Sequence, residues 1–353
     1  MSSRSAVFRR TRRRSIRIAS VSAVAAVTLL LGACAAPSAP IVEETATPTP
    51  TATASGPLTI PSMIAMPAES PTFETIGPVE AVADETATQV AYMSGGKRVT
   101  AVLRTPQGDG PFPAVVVVHG SVDPEDYDTG TDLIPEQRAL ISSGYAVLAV
   151  DMRGYADSDA ADADSLEVDP GFGWMTVLDW GMALDVVNGL RALRDGAAPE
   201  VDPENVGLVG HSLGGLLVLD AAVIAPGASD IVVALAAAPS DFKEAMDAIE
   251  AENPGAMDEF LGEDTDPAQL AQYWADISPR TFFDRVTEPL LMIHGTDDDS
   301  TFPEWSQQTV DAWQATGNPA EIVLIDGGDH HFKPRRDEEV GITIAALDAV
   351  LRD

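Results

Sequence analysis

The hydrophobic pattern changes character near residue 86. From there on, short β-branched runs alternate with amphipathic stretches. Gln89–Met93 and Arg98–Arg104 predict two strands joined by Ser94-Gly95-Gly96 as a hairpin. Ala114–Val118 is continuously apolar, as expected for a strand covered on both faces. Glu136–Ser143 predicts a helix stopped by Gly144, and Tyr145–Val150 the next strand. Trp174, Val177, Leu178, Gly181, Leu184, Val187 and Leu190 recur at helical spacing and predict one long amphipathic helix. Beyond it, Asn205–Val209, Ile231–Ala236, Leu290–Ile293 and Glu321–Ile325 predict strands, and Leu213–Ile224, 303–316 and 337–351 predict helices. Such alternation implies an α/β fold, a mostly parallel sheet of about eight strands with helices on both faces. Residues 241–278 interrupt the rhythm; they are acidic and helical, broken at Pro254-Gly255 and Asp266-Pro267, and read as a small cap-like insertion above the sheet.

The upstream segment has a different composition. Seven arginines and no acid fall within residues 1–17, and an apolar run from Ile18 to Ala33 follows. A basic stretch, an apolar stretch and small residues at its end form an export signal. Leu31-Gly32-Ala33-Cys34 resembles a bacterial lipobox, which implies a signal peptide over 1–33, lipidation of Cys34 and a location on the outer face of the cell membrane. Residues 35–57 are Ala-, Thr-, Pro- and Ser-rich, cannot bury a core, and read as a disordered tether. Residues 58–85 lack clear periodicity, so 34–85 is assigned to tether and N-terminal extension and 86–353 to the folded domain.

Charge narrows the partners. The 353 residues hold 21 Lys+Arg against 55 Asp+Glu, a formal net charge of -34, and losing residues 1–33 would remove only positive charges. Nucleic acid, whose phosphates need Lys and Arg, is excluded as a partner. A single cysteine excludes intramolecular disulfides and Cys-based zinc clusters. Asp157, Asp159, Asp162 and Asp164 share one loop but lack the spacing of a calcium loop, so a solvated acidic loop is expected there.

Candidate chemistry centres on Gly210-His211-Ser212-Leu213-Gly214, between a predicted strand and a predicted helix. A sharp strand-to-helix turn projects the serine, and the flanking glycines relieve crowding against neighbouring backbone. A nucleophilic serine needs a base, and the base an orienting acid. His294-Gly295-Thr296-Asp297-Asp298-Asp299 ends a later strand in three carboxylates, and Gly327-Gly328-Asp329-His330-His331-Phe332 ends the last in two histidines.

On these motifs the region from residue 87 onward resembles the α/β-hydrolases, in particular the branch of dienelactone hydrolases and prolyl oligopeptidase catalytic domains. The family pattern His-Gly-x-x-Asp-x-x-x-x-Pro, set on His294, Gly295 and Pro303, selects Asp298 over Asp297. A Gly-x-x-His-x-Phe-like stretch selects His330 over His331 as base. Val116-Val117-Val118-His119-Gly120-Ser121 implies oxyanion donors at the backbone N–H groups of Ser121 and Leu213, with His119 structural. Asp151-Met152-Arg153-Gly154-Tyr155-Ala156-Asp157-Ser158 matches a family loop whose arginine ties segments together by ion pairs. The resemblance implies a serine hydrolase acting on a small-molecule ester, with no cofactor and no metal. A small peptidase or amidase, or a catalytically silent membrane-tethered binding protein, are the alternatives. Oligopeptidases of this branch carry a large β-propeller, and the residues upstream of the first strand leave no room for one.

Overall fold

The computed structural model describes residues 58–161, 178, 180–252, 254–255 and 267–352. The export signal, Cys34, the tether over 35–57, Asp162, Asp164, Trp174 and Val177 lie outside the described residues. Among the described residues no helix is long and apolar enough to cross a membrane.

The elements run α1 (Ile60–Ala65), β1 (Glu74–Pro78), β2 (Glu85–Ser94), β3 (Lys97–Pro106), β4 (Phe112–Val118), α2 (Ile134–Ser142), β5 (Ala146–Asp151), α3 (Met182–Arg194), β6 (Val201–His211), α4 (Leu213–Ile224) and β7 (Val232–Leu235). There follow α5 (Phe242–Glu252), α6 (Pro267–Ile277), a 3-10 segment (Pro279–Arg285), β8 (Leu290–Gly295), α7 (Pro303–Gln314), β9 (Ala320–Ile325) and α8 (Arg336–Leu351). The strands form one sheet in the order β1-β2-β3-β5-β4-β6-β7-β8-β9. Pairing is antiparallel from β1 through β3 to β5 and parallel from β5 to β9.

Period-two alternation in the strands divides the apolar side chains between two layers. Val116, Val118, Leu148, Val150 and Leu208 face a core built with α3, α4 and α7. Val115, Val117, Val147, Ala149 and Val209 face a second core closed by α2 and α8. Both faces are covered, which explains why the central strands read as unbroken apolar runs.

Three sequence expectations shift. The sheet has nine strands rather than about eight, because β1 adds an edge within the segment that showed no periodicity. The boundary at residue 86 falls inside the folded unit, since Leu58, Ile60 and Met63 are buried in the first core. The long helix expected from Trp174 begins only at Met182, because Gly181 at its N-terminus has a φ of 83°. A Cβ on Gly181 would lie 2.4 Å from Leu58, so this left-handed glycine also admits the N-terminal segment.

The insertion is helical where described. Phe242, Ala245, Met246, Tyr273, Trp274 and Ile277 turn inward and join the first core, with Phe242 and Trp274 stacked at 6.3 Å. Arg280 fastens its base through Glu244 at 2.6 Å.

Candidate active site

Ser212 occupies the turn between β6 and α4 with φ 56° and ψ -118°, a conformation an L-residue holds only where its surroundings enforce it. The enforcement is steric. A Cβ on Gly210 would come within 2.1 Å of the Gly214 carbonyl, and one on Gly214 within 2.2 Å of the Val118 carbonyl. Only glycine fits at either position, so the elbow can press against the end of β4 and present the serine hydroxyl at the C-terminal rim of the sheet.

Two further strand ends meet it. The Ser212 hydroxyl lies 3.0 Å from His330 Nε2, and His330 Nδ1 lies 2.8 Å from Asp298 Oδ2. His330 follows β9 and Asp298 follows β8, two strands that lie beyond β7 in the sheet order. Residues 212, 298 and 330 are thus brought together as the sequence pattern expected. Asp297, Asp299 and His331 are exposed, and among the described residues it is His330 that contacts the Ser212 hydroxyl.

Asp298 is buried, with 6% exposure, yet well supplied with donors. Its Oδ1 accepts the N–H groups of Ser300 and Thr301 at 2.9 and 3.0 Å. Its Oδ2 takes His330 and the Thr301 hydroxyl at 2.9 Å, with His294 Nε2 3.1 Å away. Burial alone would raise the carboxyl's pKa, but the donors from His294, His330, Ser300 and Thr301 outweigh it and hold it well below the usual carboxylate range. It is therefore ionised at neutral pH and can hold the imidazole in the Nδ1–H tautomer.

The segment after β4 lies against the elbow. A Cβ on Gly120 would sit 3.3 Å from Ser212 Cβ and 3.2 Å from His211 Nδ1, which places Ser121 next to the nucleophile's turn. The Ser121 and Leu213 N–H groups donate to no other described residue. Gly120 is anchored on both sides: its N–H donates to Asp132 at 3.0 Å, and its carbonyl accepts from His119 Nδ1 at 2.7 Å. His119 is buried and packs on Tyr127 and Tyr155 at 4.4 and 4.5 Å, and burial pushes its pKa down. It is neutral and braces the loop, in keeping with a structural role.

Arg153 is buried against Asp185, with Nη2 2.6 Å from Oδ1, and its backbone N–H donates to the same carboxylate at 2.9 Å. Where described, the loop that follows is exposed, as expected, but also tied down. Asp157 accepts from Gln89 at 3.1 Å and Asp159 from the Arg98 N–H at 2.7 Å, so both exposed carboxylates stitch the loop to β2 and β3.

His211 escaped the sequence reading as a functional residue. Nothing in a Gly-x-Ser-x-Gly pattern assigns the residue before the serine a task. Its ring is buried, its Nε2 lies 2.7 Å from the His330 carbonyl, and burial pushes its pKa down to about 4. Thr301 and Asp132, which orient the acid and the Gly120 loop, also carried no sequence signal.

With this geometry, comparisons with known proteins gain meaning. A family model described as "Alpha/beta hydrolase family" matches residues 115–340. A dipeptidyl aminopeptidase BIII of Pseudoxanthomonas mexicana is 26% identical over 261 residues, 72% of this chain but 35% of that protein. The chain thus spans about a third of the length of that curated relative. Among solved structures, an acetyl xylan esterase from Paenibacillus sp. R4 superposes with a TM-score of 0.64 at 20% identity, covering 83% of this chain and 92% of that one. Acetyl xylan esterase 1 from Thermoanaerobacterium sp. JW/SL YS485 gives 0.61 at 21% identity, covering 78% and 88%. At these identities the two superpositions speak to the fold.

Proposed function

Since the chain belongs to the alpha/beta hydrolase family, we propose that it is a serine hydrolase that cleaves carboxylic esters through Ser212, His330 and Asp298. The observation that carries the reading is the continuous relay from the Ser212 hydroxyl to His330 at 3.0 Å and on to Asp298 at 2.8 Å. In this reading Ser212 attacks the ester carbonyl while His330 Nε2 takes its proton. Asp298 holds the ring and stabilises the imidazolium. The N–H groups of Ser121 and Leu213 receive the oxyanion, each donor contributing about 3 kcal/mol to the transition state. His330 then returns the proton to the departing alcohol, and water, activated by the same base, releases the acid. No step calls for a cofactor.

Esters are favoured over amides by the esterase neighbours, which match along most of their own length. The aminopeptidase relative supports a second reading as a small peptidase or amidase, although this chain spans only a third of it. Turnover of p-nitrophenyl acetate against aminoacyl-p-nitroanilides separates the two. Fluorophosphonate labelling that disappears in Ser212→Ala is the expected result; no labelling of well-folded protein would favour a silent binding module. Its donors hold Asp298 well below the usual carboxylate range, so protonation of this acid adds no limb to the activity profile near neutral pH. We also propose that Cys34 is lipidated after removal of residues 1–33 and anchors the enzyme on the outer face of the cell membrane. Incorporation of labelled palmitate that is lost in Cys34→Ala tests this.

A further inference from the structure

His211 sits where the elbow, the histidine-bearing loop and the Gly120 loop converge. A carbonyl can only accept, so the 2.7 Å contact means that His211 Nε2–H donates to the main chain of His330. The other ring nitrogen faces the Gly120 loop, 3.2 Å from where a Cβ on Gly120 would stand. The ring also lies 4.8 Å from the His330 ring and 5.1 Å from that of His331. No other described residue hydrogen-bonds the His330 carbonyl.

We propose that His211 is a positioning residue for the base: its Nε2–H fastens the His330 backbone to the elbow and thereby fixes the imidazole over the Ser212 hydroxyl. The inference rests on the reading of Ser212 and His330 as the reacting pair. The logic is one of covalent neighbourhood. His211 is bonded to Ser212, so a hydrogen bond from its ring to His330 makes nucleophile and base move as one body. Without it, their 3.0 Å separation depends on the loop over 326–335 and on the grip of Asp298 on the far side of the ring. The ring must be uncharged for this task, since a second cation beside His330 would oppose the imidazolium formed during turnover. Burial supplies that condition, with Asp132 and His331 the charged or titratable groups that face His211 besides His330 itself.

The test compares His211→Phe, which keeps a flat ring and loses the donor, with His211→Gln, which loses the ring and keeps an N–H able to reach the carbonyl. kcat and KM are measured on p-nitrophenyl acetate, alongside the rate of fluorophosphonate labelling. The expected result is a kcat and labelling rate lowered roughly tenfold in His211→Phe with KM within about twofold of the parent, the scale of one lost hydrogen bond. His211→Gln recovers most of the loss. A space-filling role gives the reverse order, with Phe active and Gln impaired, and overturns the inference. Should His211→Phe fail to fold, His211→Gln still decides, because a folded Gln variant as slow as the donor-free His211→Leu also overturns it. Ser212→Ala separates the two levels: if it retains turnover, the reading of the site fails, whereas an inactive Ser212→Ala with an unimpaired His211→Phe sinks only the role of His211.

Discussion

Two buried acidic neighbourhoods in this protein meet the same cost of burial with opposite outcomes. At the rim, Asp298 is ringed by donors and held ionised. Between α2 and α8, Glu339 is just as enclosed but lies beside a second carboxylate, Glu136. Glu136 already holds Arg336 through both oxygens, at 2.7 and 2.9 Å. Glu339 is left with the Thr343 hydroxyl at 2.9 Å on one oxygen and no partner on the other. Burial, reinforced by Glu136, pushes its pKa up to about 8. The contrast teaches that burial alone sets no protonation state; the number of donors within reach decides whether the charge survives.

The sharpest break of the comparison is Asp298→Asn. It keeps the packing but removes the charge and favours the wrong imidazole tautomer, and kcat should fall about 10⁴-fold with an unchanged circular dichroism spectrum. A loss below tenfold would mean the charge at the rim is dispensable.

On the other side, Glu339→Gln mimics the acid already protonated. The folded pKa of Glu339 is raised above its unfolded value near 4.5, so its contribution is whole below that pH and is lost as pH rises through about 8. The variant should match the parent at pH 5 and exceed it at pH 9 by about 4 kcal/mol at most, as read by urea unfolding. Equal stability at both pH values would place a charged Glu339 in the folded protein.

The rim should show the mirror image. The folded pKa of His211 lies near 4, below the ordinary 6.5, so stability is intact above pH 6.5 and falls as pH drops towards 4. The loss amounts to about 3 kcal/mol, and unfolding of His211→Gln should lack that part of the slope. The smallest effect belongs to the exposed neighbours. Asp297→Asn and Asp299→Asn should leave kcat/KM within about twofold, and a larger drop in either would move the acid to the wrong carboxylate.

Much of the fold was legible because the central strands announce themselves. Ala114–Val118 lies within β4 as its β-branched run suggested, and α4 spans the expected residues Leu213–Ile224. β1 was not legible, since an edge strand exposed over most of its length needs no apolar alternation. The start of α3 was missed because Leu178 and Gly181 fit a helical period, although Leu178 sits in a turn ahead of the helix. At the site, the three residues of the relay stand in patterns whose spacing reflects strand ends. His211, Thr301 and Asp132 act through contacts made only after distant segments meet. No local pattern could mark them.

The sheet order gives the hydrolase an unequal architecture. Its hydroxyl rises from a strand with neighbours on both sides, whereas the imidazole is delivered by the outermost strand, β9. Margins fray before centres do. Mild denaturant should therefore silence the enzyme by detaching one border while the interior stays intact, and activity should return as soon as that border docks again.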